Sequence, residues 1–206
     1  MIRFAEVSKR YPNASGPALE PTSLAVEPRE LLVLLGESGS GKTTLLKMVN
    51  RLVEPTSGVV EVLGADVRTQ EPCGLRRKIG YVIQHVGLFP HFSVVENVGV
   101  ARALAARPQI LLMDEPFGAL DPITRGALQI ELRRLHESLE LTTLLVTHDL
   151  LEALSLADRI AVMKDGRLRQ IGSPHDLLAA PADDYVAALM GSAREQAERI
   201  VGLSRE

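Results

Sequence analysis

The most specific chemistry in the chain lies in eight consecutive residues, Gly36-Glu37-Ser38-Gly39-Ser40-Gly41-Lys42-Thr43. The order is Gly, four residues, then Gly-Lys-Thr, a phosphate-binding loop pattern. Glycines let the backbone curl until successive amide hydrogens face one anion. A helix starting after Lys42 adds its positive end to the same point. Lys42 can then reach the β and γ phosphates of a nucleotide, and the Thr43 hydroxyl can hold magnesium. Thr44 follows on the same turn and joins this candidate set. The setting fits, because the apolar run Leu31–Leu35 leads in and a helical stretch, Thr43–Leu52, leads out.

A second acidic site follows. Ile110-Leu111-Leu112-Met113-Asp114-Glu115 is an apolar strand ending in two acids. Alone, such a pair simply ends a strand. Beside a phosphate loop, Asp114 completes a magnesium site and Glu115 can orient or deprotonate an attacking water. Two more strand ends carry polar groups, Gln84 after Val82-Ile83 and His148 after Leu145-Val146-Thr147. Ligands of open α/β sheets bind beyond the carboxyl ends of the strands, so all four ends can face one nucleotide. Taken alone, Gln84 reads as structural. His148 reads equally as a γ-phosphate ligand or as the start of a helix beside Asp149. His85, His91, His136 and His175 lack metal-ligand spacing. Cys73, in a Pro-Cys-Gly turn, has no activating partner beside it.

The elements that must position these residues are those of an α/β core. Leu31–Leu35, Gly80–Ile83, Ile110–Met113 and Thr143–Val146 are apolar without alternation, as strands buried on both faces are. Helices are expected at Thr43–Leu52, Ile123–Leu139 and Asp149–Leu156, with Asp121-Pro122 starting the second. Ile2–Val7, Ser23–Val26 and Val59–Val62 read as a small antiparallel sheet, with Pro12, Gly16, Pro17 and Pro21 in its first loop. Ile160–Met163 and Leu168–Ile171 flank a Lys-Asp-Gly-Arg hairpin turn. Ser173-Pro174 starts a further helix, and Ser192–Glu206 is either a surface helix or a loose tail.

The 206 residues bound a single domain with an adequate core. Basic side chains number 23 against 26 acidic ones, a net charge of −3. That balance, with 3% aromatics and no tryptophan, argues against a general nucleic-acid binder. One cysteine excludes an internal disulfide and a multi-cysteine metal site. No run approaches the ~20 apolar residues of a spanning helix, and the start lacks a secretory apolar region. A cytosolic or membrane-peripheral protein is expected.

Taken in order, these residues resemble the ATP-binding subunits of ATP-binding-cassette (ABC) transporters. Gly36–Thr43 matches Walker A, Gln84 the Q-loop, Ile110–Glu115 Walker B with its glutamate, Ala119-Leu120-Asp121 the D-loop and His148 the switch histidine. Tyr11 matches the aromatic that stacks on adenine. The likeness runs from Ile2 to about Gly191. Met48–Leu52, Gly87–His91, Phe117–Arg125 and Ala182–Val186 are similar to importer subunits for glycine betaine, choline and carnitine. The resemblance implies a P-loop NTPase core, with a mostly parallel sheet and a small antiparallel β-subdomain. It implies Mg-ATP bound by Tyr11, Gly36–Thr44 and Asp121. Magnesium falls to Thr43, Gln84 and Asp114, and catalysis to Glu115, His148, Gln84 and Lys42. It also implies a transmembrane permease, a second ATPase subunit (an identical chain or a signature-containing partner), no nucleic acid, and a place on the inner face of the cell membrane.

The chain departs from that pattern in one place. The family carries a helical subdomain, ending in Leu-Ser-Gly-Gly-Gln, between Q-loop and Walker B. Only thirty positions separate Gln84 from Asp114, and no Ser-Gly-Gly occurs. The subdomain is therefore expected to be absent, with the junction near Val98/Gly99. Residues 1–191 then form a shortened nucleotide-binding domain and 192–206 a tail. The lost signature would supply backbone amides to the γ-phosphate of a facing subunit, so hydrolysis by this chain alone lacks its usual partner group. A non-hydrolysing nucleotide-binding module is the alternative, and a soluble ABC-type ATPase of DNA repair a weaker one.

Overall fold

The computed structural model describes residues 1–83, 108–118 and 120–203. The strands are β1 (Ile2–Lys9), β2 (Leu19–Val26), β3 (Leu31–Leu35), β4 (Ser57–Val62), β5 (Ala65–Asp66), β6 (Ile79–Val82), β7 (Ile110–Asp114), β8 (Thr142–Thr147), β9 (Arg159–Lys164) and β10 (Arg167–Gly172). The helices are α1 (Lys42–Val49), α2 (Pro72–Arg77), α3 (Pro122–Ser138), α4 (Leu150–Leu156), α5 (Pro174–Ala179) and α6 (Asp184–Leu203). Six strands form one sheet in the order β10-β9-β3-β8-β7-β6. Its neighbours run parallel except for the β9–β10 hairpin. The other four make an antiparallel sheet, β2-β1-β4-β5. The expected α/β class, a mostly parallel sheet with a small antiparallel one, is the class observed.

The unbroken apolar runs are explained by two cores. Leu32 and Leu34 of β3 pack with Leu45 and Leu46 of α1 and with Phe4 and Val60 of the antiparallel sheet. Leu31, Val33 and Leu35 point the other way, toward Leu132 of α3, Ala153 of α4, Leu177 of α5 and Met190 of α6. β7 divides likewise, Ile110 and Leu112 to one side and Leu111 and Met113 to the other. Each such side chain contributes roughly 1.5–3 kcal/mol on burial. A polar residue at any of them would be expelled from one core or the other, so β3 and β7 are fixed and hold their C-terminal ends in register.

Several elements differ from the sequence-based expectation. α1 stops at Val49, short of Leu52, because the Arg76 guanidinium takes the Asn50 and Arg51 carbonyls at 3.0 Å each and Arg51 turns to φ 53°. Cys73 lies in the first turn of α2, whose start is fixed by the Glu71 carboxylate accepting the Cys73 and Gly74 amides. Pro21 lies inside β2. That strand is an edge of its sheet, and the pairing register shifts there, so no ladder donor is lost. The Ser173 start is borne out as a full capping box with Asp176. One helix, α6, runs without interruption across position 191. Gln84, His85, His91, the Ser93–Ala106 stretch with its Val98/Gly99 junction, and Ala119 lie outside the described residues.

Candidate functional site

The loop after β3 is shaped by close approach. A Cβ on Gly36 would stand 2.1 Å from the Met163 carbonyl oxygen, and one on Gly41 would stand 2.7 Å from that of Ala18. Gly39 and Gly41 have φ of 82° and 96°, which L side chains avoid. The curled loop leads directly into α1 at Lys42. Across a cleft of about 250 Å³, Ser38, Gly39 and Ser40 face Glu115. Ala18, from the approach to β2, lines the same cleft and carries no sequence signal for it.

Lys42 is only 4% exposed. Its ammonium folds back and donates to the carbonyls of Gly36 and Glu37, both at 2.7 Å, and to Ser40 Oγ at 3.4 Å. Burial lowers its pKa, against the opposing pull of the Glu115, Asp114 and Glu37 carboxylates. The Thr43 hydroxyl donates to Asp114 Oδ1 at 2.8 Å. Residues 71 positions apart are thereby joined, because the start of α1 and the C-terminal end of β7 lie at the same end of the parallel sheet. This pair presents oxygen only, the donor set magnesium takes, and magnesium usually needs few protein ligands. Among the described residues no cluster of three His, Cys, Asp or Glu side chains could hold a metal, so a cage-type site is not formed.

Glu115 adopts φ 48°, a left-handed conformation that costs a non-glycine residue roughly 1 kcal/mol. The turn aims its carboxylate out of the sheet, and Oε2 lies 3.3 Å from His148 Nδ1. β7 and β8 are parallel neighbours, with Asp114 paired to Val146. The two expected partners therefore come from adjacent strand ends. Tyr11 is also nearby: its hydroxyl is 3.3 Å from Thr44 Oγ1, and the Lys9 ammonium lies 5.2 Å from its ring centroid. Asp121 instead caps α3, accepting the Ile123 and Thr124 amides.

Sequence reasoning missed the polar layer beneath. Arg125 donates to the Leu120 carbonyl and to Asp149 Oδ2, each at 3.1 Å. Asp149 in turn caps α4 through the Glu152 amide. Glu152 is buried, and burial, then the Asp149 charge, push its carboxyl up to about 8. Its Oε1 and Arg125 Nε have no hydrogen-bond partner among the described residues. Tyr185 of α6 was missed as a site residue too. With Leu189 and Ser192 it walls a larger cleft, about 680 Å³, that opens onto Gly36, Glu37, Glu115 and His148. The Ala182–Val186 likeness contains it but carries no site role, and its helical spacing reads as core.

Residues 19–100 match the family model described as ABC transporter. The choline transport ATP-binding protein OpuBA of Bacillus subtilis is 39% identical, over 94% of this chain and 63% of its own length. The glycine betaine uptake system ATP-binding protein YehX of Escherichia coli is 42% identical, over 93% of this chain and 77% of its own. This chain thus spans under two thirds of the Bacillus protein. That alignment runs over 241 positions yet draws on about 194 residues of this chain, 94% of 206, so about 47 positions of the relative face a gap. Among solved structures, a dimeric ATP-binding cassette, MJ0796, in a post-hydrolysis state bound to ADP and Pi matches with a TM-score of 0.73 and 26% identity. It covers 84% of this chain and 99% of that one.

Proposed function

The chain belongs to the ATP-binding proteins of ABC transporters, and on that premise we propose that it binds Mg-ATP and acts as the ATPase subunit of an importer for quaternary-amine osmoprotectants. The observation that carries the reading is the Thr43–Asp114 contact at 2.8 Å, set between buried Lys42 and the Glu115–His148 pair. Lys42 exchanges its loop carbonyls for phosphate oxygens, and the glycine-shaped loop offers its amides to the same group. Thr43 and Asp114 would hold magnesium, with Gln84 as the third candidate, and the ion would there supply neutralisation of phosphate charge. Glu115 orients the attacking water, and His148 holds the Glu115 carboxylate and meets the γ-phosphate. Tyr11 stacks on the adenine, and Asp121 serves the face toward a second subunit.

The choice of solute rests on the relatives' names for choline and glycine betaine, since none of these residues would touch it. The partners proposed are a transmembrane permease and a second ATPase subunit, on the inner face of the membrane. Among the described residues no helix is long and apolar enough to cross a membrane. We take residues 1–191 as one shortened nucleotide-binding domain with 192–206 as its tail. The gap of about 47 positions is assigned to the Val98/Gly99 junction.

That gap also favours a second reading, a nucleotide-binding module without turnover. The two separate in one experiment on protein of verified 22.4 kDa mass. ATP hydrolysis above the level of Glu115→Gln establishes the ATPase. ATP binding with turnover no higher than that variant's establishes the module.

A further inference from the structure

Glu115 and His148 meet at 3.3 Å, yet each is the first residue beyond a different strand. The sheet fixes their backbones only up to that point, where the Glu115 amide donates to the Val146 carbonyl at 2.9 Å. Their alignment then falls to the turns that follow. After Glu115 the chain turns tightly, the Gly118 amide donating to the Glu115 carbonyl at 3.3 Å and the Leu120 amide to that of Phe117 at 3.1 Å. After His148, the Asp149 amide donates to the Thr147 hydroxyl at 3.0 Å, and Asp149 Oδ1 accepts the Glu152 amide at 3.1 Å.

Arg125 of α3 spans the two turns. Its Nη2 donates to the Leu120 carbonyl and its Nη1 to Asp149 Oδ2, each at 3.1 Å. A planar guanidinium fixes the angle between two donors, which a lysine ammonium cannot do. The Arg125 amide donates to the Asp121 carbonyl at 2.9 Å, so the base of the fork is set by the first turn of α3. Its Nε is buried without a hydrogen-bond partner among the described residues, so the fork is aimed at the two turns rather than at its own full satisfaction. The Arg125 and Asp149 side chains are 30% and 31% exposed, and an ion pair so open to solvent adds little to stability. What it does provide is a tie between the segment that carries Glu115 and the one that carries His148.

We propose that Arg125 is a positioning residue for water activation: through the Leu120 carbonyl and Asp149 it holds the Glu115 and His148 side chains in register. This rests on the ATPase reading above. Arg125→Lys keeps the charge and loses the fork. It is expected to lower kcat about tenfold, with KM for ATP within about twofold, because the phosphate loop is untouched. In a His148→Ala background, Arg125→Lys should cost nothing further. A rise in KM as large as the fall in kcat, or a full further loss with His148→Ala, overturns the proposal. So does a drop in melting temperature that accounts for the lost activity. The two readings fail separately. Turnover of the unmutated chain no higher than that of Glu115→Gln refutes the ATPase reading, and the proposal is then decided by the ring resonances of His148, identified by their loss in His148→Ala. Arg125→Lys should shift them, as Glu115→Gln does. Unmoved resonances overturn it.

Discussion

The two ends of the parallel sheet both gather charge, and they treat it in opposite ways. At the N-terminal ends of β3 and β9, Glu30 accepts the Glu27 amide at 2.6 Å and the Arg159 guanidinium at 3.1 Å. Asp158 accepts the Leu31 amide and pairs with Arg133, both at 2.8 Å. His136 Nδ1 meets the Thr143 hydroxyl at 3.0 Å. At the C-terminal ends, Lys42 is held by the carbonyls of its own loop, Glu115 sits at a strained φ, and Glu152 leaves an oxygen unpaired among the described residues. Among the described residues, none of the buried side-chain atoms without a partner lies at the first end, and two lie at the second. One end is closed and cements strands to α3. The other keeps groups whose best partners arrive with a ligand. Left-handed residues occur at both ends, Arg29 and Glu140 at the first and Glu115 at the second, so it is unmet polarity that separates them.

The sharpest way to break this contrast is Lys42→Ala. ATP affinity should fall by about a hundredfold or more in a titration, since a charge-assisted contact to phosphate is lost. No comparable loss of folding stability should follow, because the ammonium now spends its contacts on the loop itself and is disfavoured by burial. Unchanged affinity would remove the phosphate-loop assignment. A large drop in urea midpoint would mean that Lys42 is structural cement like its counterparts at the other end.

Glu30→Gln is the converse. Glu30 is 7% exposed and bridges a backbone amide to Arg159. The amide keeps the shape but cannot accept on both sides with a full charge, so stability should fall by about 2 kcal/mol in urea denaturation. Arg159 is partly exposed, which limits the loss. ATP affinity should stay within about twofold. A change in affinity as large as the change in stability would show that the two ends are coupled through β3.

How far each end is legible in the sequence follows from how local its causes are. The loop Gly36–Thr43 is contiguous, and its glycines are demanded by φ and by close approach, so the pattern announces itself. β3 and β7 are legible because both faces are buried and no polar residue interrupts them. Tyr185 is not legible, because its meaning depends on a loop some 150 positions earlier in the chain. Arg125 and Glu152 belong to a layer assembled from α3 and α4, and neither spacing singles them out. The early end of α1 was hidden for the same reason: Arg76, which caps it, lies beyond two intervening strands. Local motifs reveal what the site contacts, whereas tertiary packing decides what holds those contacts in place.

The pH response carries the most information, because the two ends should respond with opposite signs. Glu152 is pushed up to about 8 from an ordinary 4.5. The folded state therefore keeps a proton that the unfolded chain loses, and stability declines as pH rises from 4.5 to 8, then levels. Glu152→Gln should remove that decline and gain about 1–3 kcal/mol at pH 8. His136 is displaced downward, first by burial and then opposed by Asp158. Its unfolded form takes up a proton first, so stability declines as pH falls through the ordinary 6.5. His136→Phe should abolish that acid-side decline, at the cost of about 1 kcal/mol at pH 8 for the orphaned Thr143 hydroxyl. Urea midpoints measured from pH 5 to 8.5 read both slopes on one plot. If Glu152→Gln flattens the acid limb, or His136→Phe the alkaline limb, the assignment of an open end and a closed end is reversed. If each variant removes only its own slope, the closed end is a stability device and the open end holds a proton in reserve beside the proposed phosphate site.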